Sequence, residues 1–253
     1  MKTALKKTVA IAIALVTWQA LSYLPKMNIV LPSPIEVAKR FATIWQEPSF
    51  FSAIGFTVKY TSLGFLIGLL FGCGLAILAS RFEWVETLLW PYVSIIKSVP
   101  VASFIVLIFC TFVIWFGPWS LSCAIAALMV FPIMYTSTLS GIRSIDVGLD
   151  KMALVYKIPF WKKLLYVKLP QIKSHFLSGC TVSLGLCWKS GIAAEVIGQT
   201  SASIGGEIFN AKFAFDMPAL FCWTIIIVLI SFAFEKLVLW SFGCLFKRLE
   251  RLP

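Results

Sequence analysis

Six apolar segments, each close to the length of about twenty residues that a helix needs to cross the hydrocarbon core of a bilayer, run through this chain and dominate what it can fold into. The remaining composition agrees. Of 253 residues, 60% are hydrophobic and 13% charged, whereas a soluble domain carries roughly a quarter charged residues. The expected fold class is therefore an all-α integral membrane protein of six transmembrane helices, a single transmembrane domain spanning residues 1–253.

The first segment runs from Thr8 to Leu24 behind Lys2, Lys6 and Lys7. It resembles a signal peptide, but no small-x-small cleavage site follows, so it reads as a retained signal-anchor. The second, Ile54 to Ala79, carries Gly64, Gly68, Gly72 and Gly74, a glycine-rich face that lets helix backbones approach closely in lipid. The third lies within Val85 to Phe116, with its span over 88–116, and is interrupted by Pro100. Proline removes a helix hydrogen bond, which implies either a kink or an interfacial helix followed by the span proper. The others are Trp119 to Ser140, Phe176 to Ile197 and Ala219 to Phe242.

The seven cysteines, Cys73, Cys110, Cys123, Cys180, Cys187, Cys222 and Cys244, all fall in apolar runs without C-x-x-C pairing. They read as small buried hydrophobes, with neither a disulfide framework nor a metal site. The single histidine, His175, beside the start of an apolar segment, reads as interfacial.

Short cytoplasmic loops retain lysine and arginine, and this sets orientation. With the N-terminus inside, the inner segments hold Lys2, Lys6, Lys7, Arg81, Arg143, Lys151, Lys157, Lys162, Lys163, Lys168, Lys173, Lys247, Arg248 and Arg251. The outer ones hold Lys26, Lys39, Arg40 and Lys212. Both termini and residues 142–173 are thus expected in the cytoplasm. The net charge of +11 is mostly a topology signal, which leaves a nucleic-acid partner little to explain.

Two outer segments are more than turns. Leu31-Pro32-Ser33-Pro34 precedes Ile35, Val37, Ala38, Phe41, Ile44 and Trp45 at helical spacing. That pattern predicts a short amphipathic helix with Ser33 as N-cap and Pro34 in its first turn, either lining an outer mouth or anchoring at the interface. Ser201 to Asp216, with Gly205-Gly206, reads as a re-entrant or surface-lying piece.

Residues 142–173 form a basic, Pro-punctuated insert with the pattern of a helix-turn-helix. Asp146 to Tyr156 is predicted helical, capped by Ser144 or Asp146, with Asp146 and Asp150 in the first turn where the helix dipole favours them. Lys157-Ile158-Pro159 ends it. A second helix is expected over Phe160 to Lys168, broken in turn by Leu169-Pro170. The result is a compact knob suited to a cleft on a cytoplasmic partner.

In this loop the chain resembles the inner-membrane permease subunits of ATP-binding-cassette importers, whose cytoplasmic signature is E-A-A, three residues, G, nine residues, then I-x-L-P. Val167-Lys168-Leu169-Pro170 fits the end of that signature and Ala153 its second alanine. Lys151, Met152 and Lys157 stand where the family has glutamate, alanine and glycine. Leu31-Pro32-Ser33-Pro34, Lys97-Ser98-Val99-Pro100-Val101, Ala193-Ala194-Glu195 and Ser203-Ile204-Gly205 are similar, in order and spacing, to segments of the nitrate, sulfonate and taurine branch.

The resemblance implies a permease homodimer in a bacterial plasma membrane, docked on P-loop ATPase subunits and fed by an extracytoplasmic substrate-binding protein. The coupling residues it implies are Asp150, Lys151, Ala153, Lys157, Pro159, Phe160, Leu169 and Pro170. The chain has no G-x-x-x-x-G-K-[ST] run, so ATP and Mg belong to the partner ATPase and this subunit is not itself an enzyme.

Charge inside a span is expensive in lipid and is a functional candidate by default. Lys189 and Glu195 both fall in the fifth segment. Lys189 either faces a solute pathway or pairs with a carbonyl or carboxylate of another helix. Glu195, which matches the family glutamate, either gates the mouth or sits at the interface. Glu235 and Lys236 in the sixth segment are candidates for holding that span in place.

Two other classes compete. A stand-alone secondary transporter would show an inverted repeat, and none is evident. A membrane-embedded enzyme would need an acid or histidine cluster. The branch resemblance implies a small anion such as nitrate, a sulfonate or taurine, or a vitamin precursor, as solute.

Overall fold

The computed structural model describes residues 2–23, 31–117 and 119–250, and every regular element in them is helical. Lys26, Arg251 and the end of the first apolar segment at Leu24 lie outside the described residues. The chain runs α1 (Lys2–Ser22), α2 (Pro34–Ile44), α3 (Phe50–Arg81), α4 (Glu83–Ser98), α5 (Val101–Phe116), α6 (Trp119–Arg143), α7 (Val147–Val155), α8 (Phe160–Lys163), a π-helical turn (Leu164–Lys168), α9 (Leu169–Ile197), α10 (Ile204–Phe213) and α11 (Met217–Glu250).

Among the described residues, four helices are long and apolar enough to cross a membrane: Phe50–Arg81, Trp119–Arg143, Tyr166–Ile197 and Met217–Leu249. The apolar part of α1, Thr8–Ser22, is shorter. The third segment, expected over 88–116, is two helices that meet at 107°, a broken span or a re-entrant loop. Its cause is Pro100. Val99 is forced to an extended backbone, φ −79° and ψ 133°, because the residue before a proline avoids the helical region.

Helix α6 is the centre of the bundle, packed on α3 along one side and α9 along the other. Of its most apolar stretch 61% is buried, against 22% for α11, which is peripheral. Phe65 and Leu69 of α3, Ala126, Val130 and Met134 of α6, and Cys180, Leu184 and Cys187 of α9 form one buried cluster. Lipid is as apolar as these side chains, so close van der Waals contact holds such helices together, and small residues are what allow it.

The contact between α3 and α6 depends on glycine for that reason. A Cβ at Gly64 would lie 2.5 Å from the Cys123 carbonyl, one at Gly68 2.7 Å from that of Ala127, and one at Gly72 2.8 Å from that of Phe131. Gly74 does not belong to this face, and a Cβ there meets nothing within 4 Å. Two residues beyond Gly72 is roughly 200° of rotation on a helix, so it points away from α6. Two cysteines also depart from the expected burial: Cys110 and Cys244 are exposed, Cys73 is intermediate, and the other four are buried.

Helix α2 starts as its sequence predicts. The Glu36 N–H donates to Ser33 Oγ (3.2 Å) and the Ser33 N–H donates to Glu36 Oε2 (2.8 Å), a complete capping box with Pro34 in the first turn. Val37 and Ile44 are buried with Ala53, Ile204, Cys222, Trp223 and Ile226. Arg40 pairs with Glu47 and reaches Asp216 at 3.5 Å. The helix is therefore seated on α11, with Ile204 of α10 in the same cluster. Residues 201–216, expected as a re-entrant or surface-lying piece, hold the short helix α10, whose N-terminal Ile204, Gly205 and Gly206 are buried against α9 and α3 while Phe213 is exposed.

Three helices end on a left-handed residue other than glycine. Lys157 (φ 50°), Gln199 (φ 49°) and Phe215 (φ 58°) follow α7, α9 and α10. In each case the next N–H bonds back five residues: Ile158 to the Ala153 carbonyl (3.0 Å), Thr200 to that of Glu195 (3.0 Å) and Asp216 to that of Ala211 (2.9 Å). This is the Schellman closure, in which glycine is the usual residue at the left-handed position. Lys157 stands where the signature that this loop resembles has glycine, and its backbone has the left-handed conformation that glycine adopts freely. Lys157→Gly is therefore expected to stabilise the protein by about 1 kcal/mol, the cost of a side chain in that conformation. The thermal midpoint in detergent should rise, and no rise would show that the left-handed turn is unstrained.

Candidate functional site

The loop after α6 is built by capping. The Gly148 N–H donates to Asp146 Oδ1 (2.6 Å), which starts α7, and the Asp146 N–H donates to Gln171 Oε1 (2.8 Å). Gln171 Nε2 in turn donates to the Val167 carbonyl (2.8 Å). Asp146 thus caps one helix and ties the knob to the start of α9 in the same few ångströms.

Of the predicted coupling residues, Ala153 is buried at 2% exposure, whereas Lys151, Lys157, Pro159 and Pro170 are exposed and Leu169 is half-buried. The side chains of Asp150 and Phe160 lie outside the described part of the structure. Around Lys151, the apolar side chains of Val147, Met152 and Val155 in α7, and of Tyr156 just after it, are all exposed.

One sequence expectation fails here. Leu169-Pro170 does not end the second loop helix. The π turn Leu164–Lys168 carries the chain without a break into α9, with Pro170 in its first turn. The ring of Pro170 conflicts with the carbonyl four residues earlier, at Tyr166. The wider π turn displaces that carbonyl, so proline sets a local bulge instead of a stop.

The two charged candidates of α9 lie in opposite environments. Lys189 is exposed, and among the described residues no salt bridge or hydrogen bond holds it. Glu195 is fully buried within the protein at 0% exposure. Its Oε2 accepts from Thr57 Oγ1 of α3 (2.8 Å) and from the Gly205 N–H at the start of α10 (3.1 Å). Thr57 Oγ1 also accepts from the Ile204 N–H (3.0 Å). Glu195 Oε1 has no hydrogen-bond partner among the described residues.

Glycine again permits the approach: a Cβ on Gly205 would lie 2.3 Å from Glu195 Cβ, and one on Gly206 2.2 Å from the Thr200 carbonyl. Ser203 Oγ caps α10 by accepting from the Gly206 N–H (2.9 Å). The result is a latch that fixes the end of α9 to α3 and α10. Thr57 and Ser203 were not among the predicted site residues. The available signal was the Gly205-Gly206 pair two residues after a serine at a cap position.

A second polar junction, Arg143 of α6 paired with Glu86 of α4, was likewise missed. Its partners are 57 residues apart. Lys97 at the bend donates to Thr136 Oγ1 of α6 (3.4 Å). Glu235 and Lys236 of α11 make no salt bridge among the described residues.

An all-helical bundle of apolar spans with an exposed helical loop fits a membrane transport protein, and comparison with known families gives the class a name. Residues 64–251 match the family described as "Binding-protein-dependent transport system inner membrane component". The chain belongs to that family, and it is a permease of the ATP-binding-cassette importer type. A Bacillus subtilis permease provisionally named for aliphatic sulfonates is 29% identical over 203 residues, 79% of this chain and 72% of the relative. A riboflavin transport system permease of Chloroflexus aurantiacus is 29% identical over 258 residues, 97% of this chain and 89% of the relative. Among solved structures, that of an amino acid ABC transporter with histidines superposes with a TM-score of 0.57 over 83% of this chain and 96% of the other, at 21% identity. That similarity bears on the fold alone.

Proposed function

We propose that this chain forms the solute pathway of an ATP-driven importer and transmits the work of a separate cytoplasmic ATPase to it. In this reading it is one transmembrane domain of six spans, 8–24, 54–79, 88–116, 119–140, 176–197 and 219–242. Both termini and the loop 142–173 face the cytoplasm of a bacterial plasma membrane. Two copies assemble, a solute-binding protein docks outside, and ATP with Mg is bound by the ATPase.

The observation that carries the reading is the set of uncovered apolar side chains at the end of α7 and just after it, with Val155 78% and Tyr156 70% exposed, in a segment that carries lysines. A helix that is tied to the bundle by Asp146 and Gln171 and yet leaves such side chains open fits a cleft on a partner. Asp150, Lys151, Ala153, Lys157, Pro159, Phe160, Leu169 and Pro170 form or support that knob. Closure of the ATPase pair would then move α7, and through Gln171 the base of α9, as a rigid body between two states.

Lys189, exposed on α9 without a described partner, is placed as a pathway residue that favours an anion, and Glu195 as the gate or latch at the end of the same helix. The solute is a small anion such as nitrate, a sulfonate or taurine, or a vitamin precursor. The names of the sulfonate and riboflavin relatives support that range.

The test is copurification of the tagged chain from its native membranes in mild detergent. A P-loop ATPase is expected with the wild type. Its recovery should fall at least tenfold, corresponding to about 1.4 kcal/mol or more, with Lys157→Glu, Lys162→Glu and Lys163→Glu combined, and separately with Val155→Asp and Tyr156→Asp combined. If no ATPase accompanies the wild type, or if it stays with both sets of variants, the docking role proposed for this loop fails.

A further inference from the structure

The loop is joined to the bundle unequally on its two sides. Toward α6, the residues Ser144, Ile145 and Asp146 are not helical, and the end of α6 is itself fixed to α4 by the Arg143–Glu86 ion pair. Toward α9 there is no break: α8, the π turn and α9 form one helical run from Phe160 to Ile197. Among the described residues, α7 packs broadly on none of the four long apolar helices. Its position depends on hydrogen bonds at its start.

Gln171 supplies the tie that crosses to the α9 side. Its carboxamide accepts from the Asp146 N–H (2.8 Å) and donates to the Val167 carbonyl within the π turn (2.8 Å). Pro170 has no N–H, so the turn before it is short of one helical donor, and Gln171 Nε2 brings a donor back to that turn. An amide engaged at both of its ends has a fixed orientation. It holds α7 against the base of α9.

At the other end of the same helix sits the Glu195 latch. Gln171 and Glu195 are roughly 36 Å apart along α9 at the rise of an ideal helix, and no proline interrupts the chain between them. The two donors on Glu195 Oε2 belong to other elements, Thr57 to α3 and the Gly205 N–H to α10. A shift of α9 by about 1 Å carries such contacts past hydrogen-bonding reach. A continuous helix clamped at both ends thus turns a displacement at one end into a broken contact at the other.

We propose that α9 is a lever between the loop and the latch, with Gln171 as the residue that positions α7 on it. Movement of the loop passes to α9 instead of α6 and opens the contact of Glu195 with Thr57 and Gly205. This lever rests on the ATPase docking proposed for the loop and adds the route by which docking acts on the opposite end of the bundle.

The test is hydrogen exchange of the copurified complex in nanodiscs, with and without ATP, Mg and orthovanadate, which together hold a P-loop ATPase closed. The readout is exchange at the backbone amides of Ile204 and Gly205, which donate to Thr57 Oγ1 and Glu195 Oε2 and so report the latch directly. On trapping, wild-type exchange at these amides should rise at least about tenfold, the rate change for about 1.4 kcal/mol of local opening. Gln171→Met keeps the length of the side chain and removes both hydrogen bonds; it should retain the ATPase and lose the rise. Gln171→Glu keeps an acceptor for the Asp146 N–H and should restore it. A residue that only supported the fold would lower the thermal midpoint and quicken exchange in every state, without abolishing the response to nucleotide. The lever is overturned if the wild-type amides do not respond while the ATPase stays bound, or if Gln171→Met responds as the wild type does. It is overturned equally if Gln171→Met releases the ATPase, which would make Gln171 a docking residue. In each of these cases the wild type still holds its ATPase and the importer reading stands. If no ATPase accompanies the wild type, the docking role and the lever fall together.

Discussion

Gly68→Val is expected to give a chain that enters the membrane but does not hold its bundle together. A Cβ at that position already lies 2.7 Å from the Ala127 carbonyl and 2.7 Å from Val130 Cβ. The first of these is backbone of the central helix and cannot rotate aside. Overpacked cores ordinarily lose 1–3 kcal/mol through off-rotamer side chains and small shifts, and a clash with fixed backbone puts the cost at about 3 kcal/mol or more. Relief requires α3 and α6 to separate, which also opens the cluster of Phe65, Leu69, Val130 and Leu184. Size-exclusion profiles and thermal midpoints in mild detergent provide the measurement, with little monodisperse protein expected. Gly74→Val supplies the comparison, because nothing lies within 4 Å of its Cβ position and a substitution away from packed contacts changes stability by only about 0.5 kcal/mol. Equal behaviour of the two variants would mean that the glycine face of α3 is not what brings α6 close.

That contrast shows where sequence reading reaches its limit. The row Gly64, Gly68, Gly72 is legible because every fourth residue returns to one helix face, and the Ser33 box and the Asp146 cap are legible because their partners lie within three residues. Pro100 marked the position of the break but not its angle, which depends on how α4 and α5 pack. Pro170 was misread as a stop because the compensating π turn is a response to the proline and has no composition of its own. Lys157 concealed a glycine-like backbone behind a side chain that ordinarily avoids it. The branch resemblance singled out Glu195 but not its burial, since the partner Thr57 is 138 residues away. The same holds for Arg143 and Glu86. Contacts set by long-range packing leave no local periodicity to read.

Glu195→Ala and Glu195→Gln should separate, and their separation tells what the buried carboxylate does. Alanine removes the acceptor shared by Thr57 Oγ1 and the Gly205 N–H. Thr57 can turn its hydroxyl toward another acceptor, but the Gly205 N–H is fixed at the start of α10 and has no such freedom. One orphaned donor costs roughly 1–3 kcal/mol, and the vacated volume adds to it, so a loss of about 3 kcal/mol is expected. Glutamine keeps a carbonyl oxygen on both donors at almost unchanged volume, and its stability should stay within about 1 kcal/mol of wild type. Thermal midpoints of the three proteins test this, and equal midpoints for alanine and wild type would dissolve the latch. With that established, solute uptake by the assembled transporter distinguishes the two ways the residue can act as a gate. A gate that works by fastening α9 to α3 and α10 survives glutamine and fails with alanine. One that works by its negative charge fails with both, although the glutamine protein remains folded. The geometry favours the first, because both donors converge on one oxygen and both are reproduced by an amide, so glutamine is expected to transport close to the wild-type rate.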